Sequence, residues 1–249
     1  MSTKNGLEGR AVLVTGGSRG IGAATALRLA REGADVAFTY VTGEERAKEV
    51  AAAIEAAGRT ALPLRADAAD PGDAAGAVEW AADAFGRLDV LVNNAGVGVI
   101  APLDTLALAD VDRVLAVNVR AAFLAAQAAA GRMARGGRIV TVGSCMTARV
   151  PGPGGTLYAM SKSALIGLNR ALARELGGRG ITANIVHPGP IDTDMNPVDG
   201  PYAADQAALT ALGRFGTAEE VAATVAFLAG PAAAYVTGAE FAVDGGHAA

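Results

Sequence analysis

A chain of 249 residues carrying a net charge of −4 can fold as one α/β sheet flanked by helices, so a single domain is expected. No Lys/Arg cluster is present, which argues against a nucleic-acid backbone as partner, although a few local cations and a helix N-terminus can still hold an anionic cofactor. Cys145 is the one cysteine, which excludes an intrachain disulfide, and with only His187 and His247 beside it a metal site is not expected.

The polar start, residues 1–10, has no apolar signal-like core, and no later segment gives about 18 uninterrupted apolar residues. A soluble cytoplasmic protein with no membrane partner is the expectation. Hydrophobic residues make up 51% of the chain but aromatics only 4%, which favours closely packed helices over an aromatic binding surface.

In chain order, an apolar strand at 11–14 runs into glycines, and a helical pattern over 24–33 and a strand at 36–40 complete a β–α–β unit. Helix 44–57, strand 60–65, helix 71–85 and strand 89–93 continue the alternation. A long helix over 109–133, strand 138–142, helix 158–176 and strand 181–186 follow. After Gly189 the regularity fails. Residues 190–201, rich in Pro, Asp and Asn, read as a loop, 202–212 as a short helix over a site, and a last helix, 218–228, precedes strand 240–243. The pattern predicts a single-domain, Rossmann-type doubly wound parallel sheet with helices on both faces, its ligand beyond the strand C-termini and 190–212 as a substrate lid.

Between the first strand and first helix lies Thr15-Gly16-Gly17-Ser18-Arg19-Gly20-Ile21-Gly22. Glycines here let the backbone approach a pyrophosphate at the helix start, although the spacing misses the G-x-G-x-x-G fingerprint and a plain tight turn would also use glycine. An acid at the end of the second strand would bind an adenosine 2′-hydroxyl; the chain has Tyr40 there. Arg19 and Thr42 are suited to a 2′-phosphate, which points to NADP, while Glu44 and Glu45 keep NAD open as a lesser possibility. Tyr158 and Lys162 stand four apart at the start of a helix and share a face, where an ammonium would favour phenolate and lower the tyrosine pKa. That spacing alone is weak, because it is common on solvated helices.

Taken together, TGGSRGIG, Asn93-Asn94-Ala95-Gly96, Ser144 and the Tyr158/Lys162 pair, in that order, resemble the short-chain dehydrogenase/reductase family over nearly the whole chain. The resemblance implies that Gly16, Ser18, Arg19, Gly20, Ile21, Gly22, Asp67 and Ala68 line the cofactor, Asp67 reaching its adenine. Asn94, Ala95 and Gly96 would border it. Pro188-Gly189 would form the turn beside the nicotinamide, with Ile191 and Thr193 at its carboxamide. Among the catalytic groups, Ser144 would orient a carbonyl, Tyr158 donate the proton, Lys162 lower the tyrosine pKa and bind the ribose, and Asn118 hold a water against the lysine. His187 reads as structural.

Two departures stand out: Ser144 and Tyr158 are 14 apart, one more than in many relatives, and Gly143 replaces a frequent second Ser. The nearest resemblance is to 3-oxoacyl-acyl-carrier-protein reductases, which implies a small-molecule carbonyl substrate, NADPH and a homotetramer. Residues 189–197 also resemble the biofilm-dispersal mediator subgroup, which implies the alternative of a regulatory protein binding cyclic dinucleotides on the same fold.

Overall fold

The computed structural model describes residues 6–249, so the first five residues of the polar start lie outside the described residues. Seven parallel strands, β1 (Ala11–Val14), β2 (Asp35–Tyr40), β3 (Ala61–Arg65), β4 (Val90–Asn93), β5 (Arg138–Val142), β6 (Thr182–Pro188) and β7 (Glu240–Val243), form one sheet in the order β3-β2-β1-β4-β5-β6-β7. The order reverses between β1 and β4, and the crevice beyond their C-termini is where a doubly wound sheet takes its ligand.

Successive strand residues point to opposite faces. Val12, Val14, Val36, Phe38, Val90 and Val140 enter one core, against helices α1 (Gly20–Arg31), α2 (Glu44–Ala56) and α8 (Ala218–Ala229). Leu13, Ala37, Leu91 and Ile139 enter the other, against α3 (Pro71–Phe85) and α5 (Ala121–Arg132). Alanine explains the closeness of this second layer: Ala77 and Ala81 of α3 and Ala125, Ala126 and Ala129 of α5 are buried there.

Helix starts are built locally. Asp70 caps α3, accepting from the amides of Gly72 and Asp73 with Pro71 in the first turn, and Thr217 with Glu220 makes a reciprocal capping box on α8. By contrast, α1 opens at Gly20 with no side-chain cap, four residues before the helical pattern predicts.

The expected helix over 109–133 is interrupted. It consists of α4 (Leu108–Leu115), one π turn (Ala116–Arg120), where the Ala121 amide reaches back five residues to the Ala116 carbonyl, and α5. By length and composition, Leu108–Arg132 qualifies as a membrane span although charged residues interrupt it, but its alanine stripe lies in the core. Past β6, Ile191 bridges Gly216 and is buried in the first core, Thr193 turns back on Asn196, and α7 (Ala203–Ala208) is a short helix within 202–212. The remaining helix, α6 (Thr156–Leu176), starts two residues before Tyr158.

Candidate active site

The glycine turn is compact because its backbone crosses itself. A Cβ on Gly22 would fall 2.1 Å from the Gly16 carbonyl oxygen, one on Gly17 would fall 2.6 Å from Phe38 Cβ, and Gly16 has φ +65°. Asn94 Nδ2 donates to the carbonyls of Thr15 and Gly16, both at 2.9 Å, while Thr15 Oγ1 accepts from the amides of Asn94 and Ala95 at 3.0 Å. The end of β4 thus holds the turn in shape. Because α1 has no side-chain cap, its first amides are free to face an anion at the positive end of the helix. Ser18 and Ile21 are half-buried in the turn, with Ile21 packed on the first core.

Tyr40 ends β2 half-buried, and Thr42 is exposed beyond it. Glu44 and Glu45 lie 3.1 and 2.9 Å from Lys48, so both acids already have a cation. Arg19 Nη1 stands 3.7 Å from Asp194, and Arg46, in the first turn of α2, pairs with the same carboxylate. The hydrogen bond from Arg46, more than the charge of Arg19, holds the Asp194 carboxyl below the usual range. Arg46 is a candidate that the sequence reading missed; its partner lies 148 positions away. Asp67 is exposed, with Oδ1 accepting from the Ala69 amide at 2.9 Å, so one oxygen serves a local turn. Ala68, Ala95, Asn118 and Lys162 line one narrow slot beneath the strand ends.

The four candidate catalytic side chains approach from three elements. Lys162 is 4% exposed, its Nζ donating to the Val142 carbonyl at 3.1 Å and lying 5.9 Å from the Tyr158 ring centre. Burial lowers the Lys162 pKa to about 8. Burial also raises the Tyr158 pKa, against an opposing effect of the Ser144 hydroxyl. The expectation that Lys162 depresses the Tyr158 pKa therefore needs correction for this arrangement: desolvation prevails.

Asn118 is buried within the π turn, and its amide is committed. Oδ1 accepts from the Val97 amide at 2.9 Å, and Nδ2 donates to the Val97 carbonyl at 3.0 Å and to Ser161 Oγ at 2.9 Å. Gly96 lies against it: a Cβ there would be 3.2 Å from Lys162 Nζ and 3.5 Å from Asn118 Oδ1. Ser144 is buried at the end of β5, its Oγ accepting from the Met146 amide at 3.2 Å.

In place of the expected turn, Pro188 is the last residue of β6 and the Gly189 amide continues the pairing by donating to the Val243 carbonyl at 3.0 Å, while a Cβ on Gly189 would meet Asp244 Cα at 2.6 Å. The Ile191 side chain, sunk in the core, leaves only its backbone for a ligand. Thr193 sits over the glycine turn, with Cγ2 3.2 Å from where a Gly20 Cβ would be.

A switch-point crevice with an uncapped helix start and, at its edge, a half-buried Tyr158 beside a buried Lys162 defines a dinucleotide-dependent oxidoreductase domain. The comparisons agree. A family model described as Enoyl-(Acyl carrier protein) reductase matches residues 16–248. A short chain dehydrogenase from Burkholderia cenocepacia J2315, solved in complex with NADP, is 55% identical with a TM-score of 0.97, covering 98% of this chain and 100% of that one.

The cyclic-di-GMP-binding biofilm dispersal mediator protein of Escherichia coli K12 is 46% identical, over 95% of this chain and 96% of its own. A 3-oxoacyl-[acyl-carrier-protein] reductase of a Synechocystis species is 40% identical, over 96% of this chain and 97% of its own. The chain belongs to the short-chain dehydrogenase/reductase family of oxidoreductases.

Proposed function

We propose that the protein is an NADPH-dependent carbonyl reductase that converts a ketone or 3-oxoacyl substrate to an alcohol. The observation that carries this reading is the convergence of Ser144, Tyr158, Lys162 and Asn118 beside a glycine turn whose helix start is uncapped. The residues fit the cofactor. Gly16 and Gly22 let the turn close on itself against Asn94 and Ala95, leaving the uncapped start of α1 for the pyrophosphate, Arg19 and Arg46 are the cations for a 2′-phosphate, and no unpaired acid stands at the end of β2. When bound, the dinucleotide supplies the hydride.

Every other step falls to side chains of this chain. The Ser144 hydroxyl donates to the carbonyl oxygen, and Tyr158 delivers the proton to that oxygen. A phenol whose pKa is raised by burial is held in the donor form near neutrality, which suits reduction better than alcohol oxidation. Lys162, titrating near pH 8, recharges the tyrosine and holds the ribose. Since both Asn118 Nδ2 hydrogens are spent, a water relay past this residue uses its oxygen acceptors. Residues 190–212 act as a lid, with Thr193 and Asp194 closing over the turn.

Arg19→Ala is expected to weaken NADPH binding at least tenfold and NADH binding less than twofold, as read by quenching or energy transfer on cofactor titration. Equal losses for both cofactors would remove the 2′-phosphate assignment.

The second reading, a cyclic-dinucleotide-binding regulator, is favoured by the 46% identity to the dispersal mediator. NADPH oxidation over a ketone panel, set beside calorimetry with cyclic di-GMP, separates the two. Turnover supports the reductase; tight dinucleotide binding with no turnover on any ketone rejects it.

The proposal places the enzyme in the cytoplasm as a homotetramer. Exposed Leu108, Phe123, Met160 and Phe227 on α4, α5, α6 and α8 are apolar surface that symmetric association would cover. Light scattering at micromolar concentration is expected to give about four times the 24.7 kDa chain mass, and a stable monomer contradicts it.

A further inference from the structure

One buried polar group beside the site has no part in the proposed mechanism. His187, in β6 next to Pro188, is 6% exposed. Its Nδ1 lies 3.2 Å from the Ser144 backbone nitrogen and its Nε2 3.2 Å from Glu240 Oε2. Glu240 is held in turn, accepting from Arg170 at its other oxygen at 2.7 Å. A backbone N–H only donates, so Nδ1 accepts; the uncharged ring then carries its proton on Nε2, where the carboxylate accepts it. The two ends of the ring thus fix one tautomer.

The other side of the same residue is also held. Thr147 Oγ1 donates to the Ser144 carbonyl at 2.9 Å. With its N–H on His187 and its C=O on Thr147, the Ser144 backbone has little freedom to rotate its hydroxyl away from the crevice. The glycine at 143 belongs to the same arrangement: a Cβ there would fall 2.5 Å from His187 Nδ1, 2.8 Å from Cε1 and 3.0 Å from Ile185 Cδ1. The imidazole therefore occupies the space that a side chain at 143 would need. Gly143, the departure from the frequent serine, and His187 are two halves of one feature.

We infer that Arg170, Glu240 and His187 form a positioning relay that aims Ser144 at the reacting carbonyl, and that Gly143 is glycine to admit the ring. The inference rests on the reading of Ser144 as the group that orients the carbonyl. His187 touches neither substrate nor cofactor in this scheme; it acts through Ser144.

With only two histidines in the chain, nitrogen NMR of histidine-labelled wild-type protein, assigned with a His247→Gln variant, reads the His187 tautomer directly. The expected state is Nε2–H, and a ring protonated on Nδ1 overturns the relay. For function, His187→Leu is expected to lower kcat for a responsive ketone by about 10- to 100-fold, the scale of a displaced catalytic group, with NADPH affinity changed less than twofold. His187→Asn, whose Oδ1 can take the place of Nδ1, should recover most of that loss. Gly143→Ala should impair turnover alone and gain activity back when combined with His187→Ala.

Ser144→Ala separates the two levels. If it cripples turnover while His187→Leu, folded by circular dichroism, keeps wild-type kcat, the relay is wrong and the reductase reading stands. If Ser144→Ala itself turns over normally, the role of Ser144 in orienting the carbonyl falls and the relay falls with it, while the turnover leaves the reductase reading standing.

Discussion

Tyr158→Phe is expected to lower kcat for ketone reduction by about 10²- to 10⁴-fold, the usual worth of a positioned proton donor, while NADPH affinity stays within about twofold. The variant deletes one hydroxyl from a half-buried ring and leaves the Lys162 bond to Val142 in place. Because burial raises the Tyr158 pKa, the tyrosine keeps its proton above neutral pH, but Lys162, which recharges it, titrates near pH 8, so reduction should stay flat up to about pH 8 and fall above it. Alcohol oxidation in the reverse direction needs the phenolate, so its rate should climb with pH over the same range. Turnover of Tyr158→Phe near the wild-type level, on a ketone that the wild type reduces, would reject the mechanism.

The β–α alternation was legible because the strands are short apolar runs and some helices carry their own end signals, as Asp70-Pro71 does for α3 and Thr217 with Glu220 does for α8. The Tyr158/Lys162 pair was legible from its helical spacing, but Ser144 joined it only through the resemblance to the short-chain dehydrogenase/reductase family. What escaped depends on tertiary placement. The segment Ala116–Arg120 holds no Gly or Pro to mark a π turn, yet that turn places Asn118 between Val97 and Ser161. Arg46 reads as a solvated helix residue until residues 192–197 fold back and bring Asp194 to it. Ile191 reads as a contact for the nicotinamide, but its pairing with Gly216 turns the side chain into the core. The tyrosine shift was read in the opposite direction, since spacing reveals the neighbouring ammonium and conceals the depth of burial that raises the tyrosine pKa.

That depth makes Lys162 expensive to the fold. At 4% exposure and with one carbonyl acceptor, its ammonium is poorly solvated, and its pKa drops from 10.5 to about 8. The unfolded chain protonates near 10.5, so between about pH 8 and 10.5 the unfolded state binds a proton that the folded state does not. Stability therefore rises with pH across that window, and below pH 8 the full desolvation cost is present. A drop of this size corresponds to about 3 kcal/mol, and losing the bond to Val142 offsets about 1 kcal/mol of what removing the charge would gain.

Lys162→Met keeps the length of the side chain without its charge. In the absence of cofactor at pH 7 it is expected to be more stable than wild type by about 1–3 kcal/mol, raising Tm by several degrees at matched protein concentration. The same variant should lose most of its ketone reduction and much of its NADPH affinity, a stability gain obtained by removing a functional group. Between pH 7 and 10 the stability difference should shrink as the wild-type lysine sheds its proton. Denaturant unfolding at both pH values measures it: a variant less stable than wild type at pH 7, with a difference that does not change by pH 10, would show that the buried ammonium is fully compensated in the fold.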